Sequence, residues 1–154
     1  MKKFITIALA AALASPVFAA EQKQAPEHPP RLVLSVFDFS GKVPKDTKSL
    51  KLSRSNKNLR LCWYTLDTPV KETALVIEEF TSPKGGKFIS PNMTTQSSNN
   101  NTRHVVTRNK HKSVNSEYVE TCWTFDKRDP IGQYSLAVKV DDIHFPALKF
   151  SIEK

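Results

Sequence analysis

Residues 118–125, YVETCWTF, contain a Cys-Trp pair that recurs in LRLCWYTL, residues 59–66. The chain has only these two cysteines and these two tryptophans. Both stretches alternate with a period of two, which is typical of β-strands with one buried face. The alternation places Trp63 and Trp123 on apolar faces, and Cys62 and Cys122 on more polar ones. A bridge between the cysteines forms most simply if the strands are neighbours in one sheet, and a bridge between two sheets is the alternative.

The N-terminal segment MKKFITIALAAALASPVFAAEQ has the features of a bacterial, Sec-dependent signal peptide. Two lysines precede an apolar run from Phe4 to Leu13, and Val17 and Ala19 satisfy the small-residue rule, so we expect cleavage after Ala19. The run is shorter than the roughly 20 apolar residues of a membrane span, and we expect no span later in the chain. The sequence therefore predicts an exported protein, periplasmic or secreted. In that compartment we expect the cysteines to form one disulfide rather than free thiols, a metal site or a redox motif.

Beyond the predicted signal peptide (1–19), the polar, proline-rich residues 20–30 indicate a flexible leader, and residues 31–154 fit one domain. About nine short strands alternate there with Pro, Gly, Asn and Lys clusters, without a helix of normal length. This pattern predicts an all-β, antiparallel β-sandwich of about seven to nine strands with one disulfide. The predicted strands are LVLSVFDF, SLKLS, LRLCWYTL, ETALVIEEF, KFIS, TRHVVTR, YVETCWTF, QYSLAVKV and ALKFSIE.

The segment DPIG, residues 129–132, predicts a turn near the C-terminus. Asp129 suits the first position of a type I turn, and Gly132 suits a fourth position at positive φ. We expect this turn to join the Cys122 strand in a hairpin to the strand that follows. That strand places four apolar residues on one face: Tyr134, Leu136, Val138 and Val140.

An apolar strand ending in Asp-Pro-x-Gly-x-Tyr, then an alternating strand and a final strand, resembles the end of immunoglobulin-like modules in bacterial envelope proteins. The resemblance covers roughly the last forty residues. It implies an immunoglobulin-like sandwich that binds or assembles rather than catalyses. The chain departs from the immunoglobulin pattern at Glu120, where a Tyr would stand two residues before the second cysteine.

The chain is basic, with 23 Lys and Arg against 15 Asp and Glu and a formal net charge of +8. Removal of Lys2 and Lys3 with the signal peptide would leave +6 (8 − 2). A positive surplus favours anionic partners, and we expect a protein, an anionic glycan or lipid head groups rather than nucleic acid. A solvated basic surface without such a partner is the alternative.

Two basic stretches, GKVPKDTKSLKLSRSNKNLR and TRHVVTRNKHK, are candidate anion-binding sites. If they fold side by side, their combined field could hold phosphate or sulfate groups, and His104 and His111 would add charge below about pH 6.5. The alternatives are an edge strand protected by lysines and an ordinary surface loop. The candidate anion-binding residues are Lys42, Lys45, Lys48, Lys51, Arg54, Lys57, Arg103, Arg108, Lys110 and Lys112.

Residues 82–102 are polar and predict a long loop with a disordered tip at TTQSSNNNT. We find no catalytic motif and no metal-ligand spacing, and Glu78 and Glu79 are adjacent, hence on opposite faces of a strand. We therefore expect no cofactor and no enzymatic activity. The predicted function is a periplasmic or secreted binding or accessory module. The alternative is a secreted inhibitor of a hydrolase, of the lysozyme- or protease-inhibitor type, that presents a rigid loop.

Overall fold

The computed structural model describes residues 28–154. The predicted signal peptide and most of the predicted leader lie outside these residues. The described part contains ten β-strands and no helix. The strands are β1 (Arg31–Asp38), β2 (Lys45–Ser49), β3 (Lys51–Ser53), β4 (Leu59–Leu66), β5 (Thr73–Thr81), β6 (Thr94–Ser98), β7 (Arg103–Lys112), β8 (Glu120–Trp123), β9 (Gly132–Val140) and β10 (Ile143–Glu153).

The strands form two sheets, one of four strands in the order β2-β1-β4-β8 and one of six in the order β3-β10-β9-β5-β7-β6. The inward side chains of both sheets meet in one apolar core, so the predicted all-β sandwich is confirmed. Two details differ from the prediction. There are ten strands because SLKLS spans the end of β2 and all of β3, which lie in different sheets, and because β6 forms in the predicted loop, whereas KFIS forms no strand. The pairing is antiparallel except between β3 and β10, which run parallel.

The two Cys-Trp stretches are neighbouring strands, as predicted. Cys62 lies directly opposite Cys122 in the antiparallel pairing of β4 with β8, and the two cysteines form the disulfide, with a Cα–Cα distance of 4.0 Å. Trp63 and Trp123 point the other way, into the core, where both are buried. The bridge is therefore a cross-strand bond on the outer face of the four-stranded sheet.

The predicted hairpin between the Cys122 strand and the next strand is wrong, because β8 belongs to the four-stranded sheet and β9 to the six-stranded one. The connection is a corner between the sheets. Its hydrogen-bonded turn comes three residues earlier than predicted, with the Asp129 amide donating to the Asp126 carbonyl at 3.0 Å. Gly132 does have positive φ, 142°, as expected. The Tyr134 hydroxyl donates to the Pro130 carbonyl at 2.6 Å and anchors the corner to β9.

Residues 82–102 are more ordered than the sequence predicts. KFIS is not a strand, and instead Phe88 leaves the sheet to enter the core, where it stacks on Phe80 at 4.0 Å between ring centroids. TTQSS, predicted as part of a disordered tip, forms the edge strand β6 against β7. Polar β6 is held by its inward side chains, since Thr95 donates to the Phe88 carbonyl at 2.6 Å and the Ser97 hydroxyl contacts His104 at 2.9 Å. Phe88 therefore packs over β5 and β7, where its ring contacts those of Phe80 and His104.

Candidate functional site

The first basic stretch lies around β2 and β3, and about half of its candidate residues have local partners. Lys48 pairs with Asp46 at 3.1 Å and Lys51 with Glu153 at 3.7 Å. Arg54 donates to the Asp129 carbonyl and so ties the residues after β3 to the corner before β9. The remaining three, Lys42, Lys45 and Lys57, are exposed and have no ion pair within residues 28–154.

The second basic stretch is β7, and its residues fall into two classes. Arg103 makes a two-pronged ion pair with Glu79, with both N···O distances at 2.8 Å. Arg108 pairs with the buried Glu78, and its own side chain is only 13% exposed. Lys110 and Lys112, near the end of the strand, are exposed and have no ion pair in the described part of the chain.

The two basic stretches do not combine into one patch. β3 and β7 belong to the same sheet, but β10, β9 and β5 lie between them. Four strand spacings place them about 19 Å apart. β2 is an edge strand of the other sheet. The positive charges of the two stretches therefore lie on two sides of the sandwich and do not form one combined site.

A groove of about 730 Å³ lies beside the second half of β7. Residues 91–94 form one wall and residues 107–112 the other. We call it the β7 groove. It exists because β6 pairs with β7 only from Ser98–Arg103 to Thr94–Thr107, whereas β7 continues to Lys112 beside β5. The groove therefore occupies the position that a longer β6 would fill.

A β-bulge in β7 shapes this groove. Ala74 of β5 faces His111, and Val76 faces Arg108, so Leu75 alone opposes both Asn109 and Lys110. Lys110 has the positive φ of 79° that such an extra residue can require. The bulge shifts the alternation by one residue, so His111 is on the core side, where its Nε2 lies 2.9 Å from the Glu120 carbonyl of β8. The bulge thus fixes the end of β7 to the opposite sheet.

A buried polar network supports the floor beside the groove. Glu78 is fully buried on β5, and its Oε1 accepts the indole N–H groups of Trp63 and Trp123, each at 2.7 Å. Its other oxygen pairs with Arg108, whose guanidinium carbon lies 5.1 Å from the Trp123 ring centroid. Burial raises the pKa of the Glu78 carboxyl, and Arg108 and the two indoles oppose that shift. Arg108 is thus held as a fixed structural cation.

The expectation that both histidines of TRHVVTRNKHK add charge in acid is wrong for His104. Its ring is fully buried, with Nε2 2.9 Å from the Ser82 hydroxyl and Nδ1 2.9 Å from the Ser97 hydroxyl. Burial lowers the pKa of His104, because the charged ring would lose its hydration. His104 is a core histidine with satisfied hydrogen bonds, not part of an anion site.

A smaller cleft of about 420 Å³ lies between the loop after Gly85 and the end of β8, and Arg108 borders both cavities. Its charges are mixed. Arg128 donates to Asp126 and holds the pKa of that carboxyl at about 2, so this pair stays ionised and largely self-neutralised. The second cleft therefore has less positive surplus than the β7 groove.

Sequence reasoning missed the role of Glu78 and the existence of the groove. The position of Glu78 was readable in principle, since it lies on the apolar face of β5 with Val76 and Phe80. An acid at a core position predicts a buried partner, although not which one. The groove depends on the difference in length between β6 and β7, and no local pattern specifies that difference.

The described residues contain no group of three or more His, Cys, Asp or Glu side chains placed to hold a metal ion. They also contain no helix with the length and hydropathy needed to cross a membrane.

Comparison with known proteins identifies relatives by sequence. The family model described as the PM0630 beta sandwich domain matches the sequence over residues 32–153. A protein of Pasteurella multocida (strain Pm70), named Uncharacterized protein PM0630, is 33% identical over 120 residues, which cover 77% of this chain and 75% of that protein. The match to the family model covers all ten strands of the sandwich except the first residue of β1. The chain belongs to the PM0630 β-sandwich domain family.

Proposed function

We propose that this protein is an exported, non-enzymatic binding module that recognises an anionic partner through the β7 groove. The observation that carries the proposal is the position of Lys110 and Lys112. Both border the largest cavity described above, both are exposed, and neither has an ion pair among residues 28–154. An ionised side chain without a protein partner is available to a ligand, and a concave wall lowers the dielectric around it.

The chemistry of the groove favours an acidic group over a neutral one. Lys110, Lys112 and the half-buried His111 line one wall. Residues 91–94 line the other with Pro, Asn, Met and Thr, which add no charge. Because Arg108 is neutralised by Glu78, the two lysines supply the net charge. Each exposed contact is worth about 0–1 kcal/mol, so recognition needs both lysines together.

An accessory module of the immunoglobulin-like type is the form of this proposal that the fold supports best. Two packed sheets and a Tyr134 hydroxyl bonded to the backbone four residues upstream are features shared with such domains. The cross-strand position of the disulfide differs from the bridge between sheets that antibody domains carry. The proposal therefore includes the immunoglobulin-like arrangement of two packed sheets, but not a disulfide between the sheets.

Binding of the purified protein to dextran sulfate and to vesicles containing phosphatidylglycerol tests the proposal. We expect binding to at least one of them at low salt, and its affinity should fall as salt rises. Lys110→Ser with Lys112→Ser should weaken binding several-fold. The matched control, Lys42→Ser with Lys45→Ser, removes the same charge from the other side of the sandwich and should weaken binding less. Equal effects of the two pairs would contradict the proposal, and so would the absence of salt-dependent binding to dextran sulfate, to the vesicles and to an acidic peptide alike.

Export is part of the same proposal, and it rests on the signal-like N-terminus and on the disulfide. Mass spectrometry of the protein from a periplasmic or culture-medium fraction should find Ala20 as the first residue. An intact Met1 in the cell interior, with both cysteines alkylated, would contradict it.

A further inference from the structure

The edges of the two sheets differ in how well they are protected against a further strand. β2 carries Lys45 and Lys48 and is irregular in its pairing with β1. β3 is only three residues long. β8 is joined to β4 by the disulfide, and its Glu120 carbonyl already contacts His111. Charges, irregular pairing and short length are the usual devices that keep a sheet edge from pairing with another chain.

The second half of β7 differs from these edges. Between Arg108 and Lys112 it is paired with β5 on one side, and among the described residues no strand pairs with it on the other. That open side faces the β7 groove, collinear with β6. Residues 91–94 stand across from it rather than against it, which leaves the volume of about 730 Å³ between them. An extended chain of a few residues fits such a space.

The charge of the groove selects among extended chains. Lys110 and Lys112 flank the open edge, so a neutral or basic strand would leave two ammonium groups without compensation, whereas an acidic strand would pair with them. In strand addition, backbone hydrogen bonds provide affinity and side-chain contacts provide specificity. The β7 groove combines an open backbone edge with a preference for negative charge.

We propose that the β7 groove takes an extended acidic segment of a partner protein, which adds as a strand beside residues 108–112 and continues the line of β6. This inference rests on the proposed function and narrows the anionic partner to a polypeptide. Glycans and lipid head groups also carry negative charge, but they have no backbone to pair with a sheet edge. The bulge at Asn109 and Lys110 limits the added ladder to a few hydrogen bonds, so the two charges contribute a large share of the affinity.

Two synthetic peptides test this inference against the full protein. One alternates Glu and Val, and the other has the same sequence with alternate backbone nitrogens methylated, which keeps the charge but removes strand pairing. We expect the first to bind and the second to bind roughly tenfold more weakly or worse, since several backbone hydrogen bonds are lost. The double substitution Lys110→Ser with Lys112→Ser should lower the affinity for the first peptide by about tenfold. The control, Lys42→Ser with Lys45→Ser, should change that affinity by less than about twofold.

Hydrogen exchange supplies a readout of position. Binding of the unmethylated peptide should slow exchange of backbone amides within residues 108–112, which a purely electrostatic contact of side chains would not do. Three results would overturn strand addition: equal affinity for both peptides, protection confined to other strands, or binding of dextran sulfate without any binding of the peptide. None of these three results would contradict the recognition of an anion. Failure of dextran sulfate, anionic vesicles and peptide alike would instead overturn the proposed function itself.

Discussion

Trp63 and Trp123 donate their indole N–H groups to the same carboxylate oxygen, Oε1 of Glu78, at 2.7 Å each. The tryptophans stand on neighbouring strands of one sheet and the acid on the opposite sheet, so the shared acceptor links the two layers through the core. A buried carboxylate is costly unless its hydrogen-bonding capacity is used, and here two indoles and one guanidinium use it.

Replacement of Glu78 should therefore strongly destabilise the folded protein. Glu78→Gln removes the charge that compensates Arg108 in a buried site, and we expect the free energy of unfolding to fall by about 3–5 kcal/mol. Denaturant unfolding followed by tryptophan fluorescence measures this. Glu79→Gln is the matched control, because the adjacent Glu79 pairs with Arg103 at the surface and should cost about 0–1 kcal/mol. Similar small losses in both variants would show that the network contributes little to stability.

Phe88 offers a second comparison between neighbours. It is 2% exposed and stacks on Phe80, whereas Ile89 is 81% exposed. Phe88→Ala should lower the free energy of unfolding by about 3–5 kcal/mol through lost burial and a cavity. Ile89→Ala should change it by less than about 0.5 kcal/mol. Thermal unfolding of both variants measures the difference, and an equal tolerance of the two changes would mean that residues 82–93 do not pack on the core.

His104 predicts a pH dependence. Its pKa is lowered in the folded protein, whereas the unfolded chain titrates near the ordinary value of about 6.5. As the pH falls below about 6.5 the unfolded state binds the proton first, so the stability contributed by the neutral ring is fully present above that pH and is lost below it. Unfolding free energies measured at a series of pH values should show this loss in the wild type and a flatter profile in His104→Asn.

The control for that measurement is His111→Asn, which alters a half-buried ring at the end of β7 rather than a fully buried one. Its profile should keep the acid-dependent loss that His104 causes. A wild-type and a His104→Asn profile that run parallel below pH 6.5 would contradict the assignment.

The disulfide closes a loop with a sequence separation of 60. Cys62→Ala with Cys122→Ala should lower the free energy of unfolding by about 4 kcal/mol, on the view that the bridge restricts the unfolded chain. Unfolding of the double variant, and of the wild type in reductant, should agree within error. A loss well under about 1 kcal/mol would mean that the pairing of β4 with β8 is maintained without the bond.

Some parts of this structure follow from local sequence and others do not. The sides taken by Cys62, Trp63, Cys122 and Trp123 follow from alternation, which depends only on the two-residue period of a strand. The corner after β8 does not, because Asp-Pro-x-Gly favours a change of direction whether the next strand pairs with the last or crosses to another sheet. Contacts remote in sequence decide that, such as Arg54 with the Asp129 carbonyl.

The candidate site shows the same limit. The basic residues of β7 were identifiable from the sequence, but the sequence did not show which of them lack an ion pair and can contact a ligand. Arg103 and Arg108 are paired with Glu79 and Glu78 of β5, a strand that precedes β7 by some twenty residues and becomes its neighbour only in the folded sheet. Charge counts predict a basic surface, whereas strand order determines which of its charges remain without partners.

The parallel pairing of β3 with β10 also bears on how the protein acquires its structure. Lys51 lies beside Ser151, 100 positions further along the chain (151 − 51), and β10 also pairs with β9. A chain synthesised from its N-terminus holds β3 without a partner until β10 has emerged. Contacts so remote in sequence slow folding, because a large loop must close before they form. We therefore expect the six-stranded sheet to close late, and a newly made chain to expose β3 and the edge of β9 until β10 is in place.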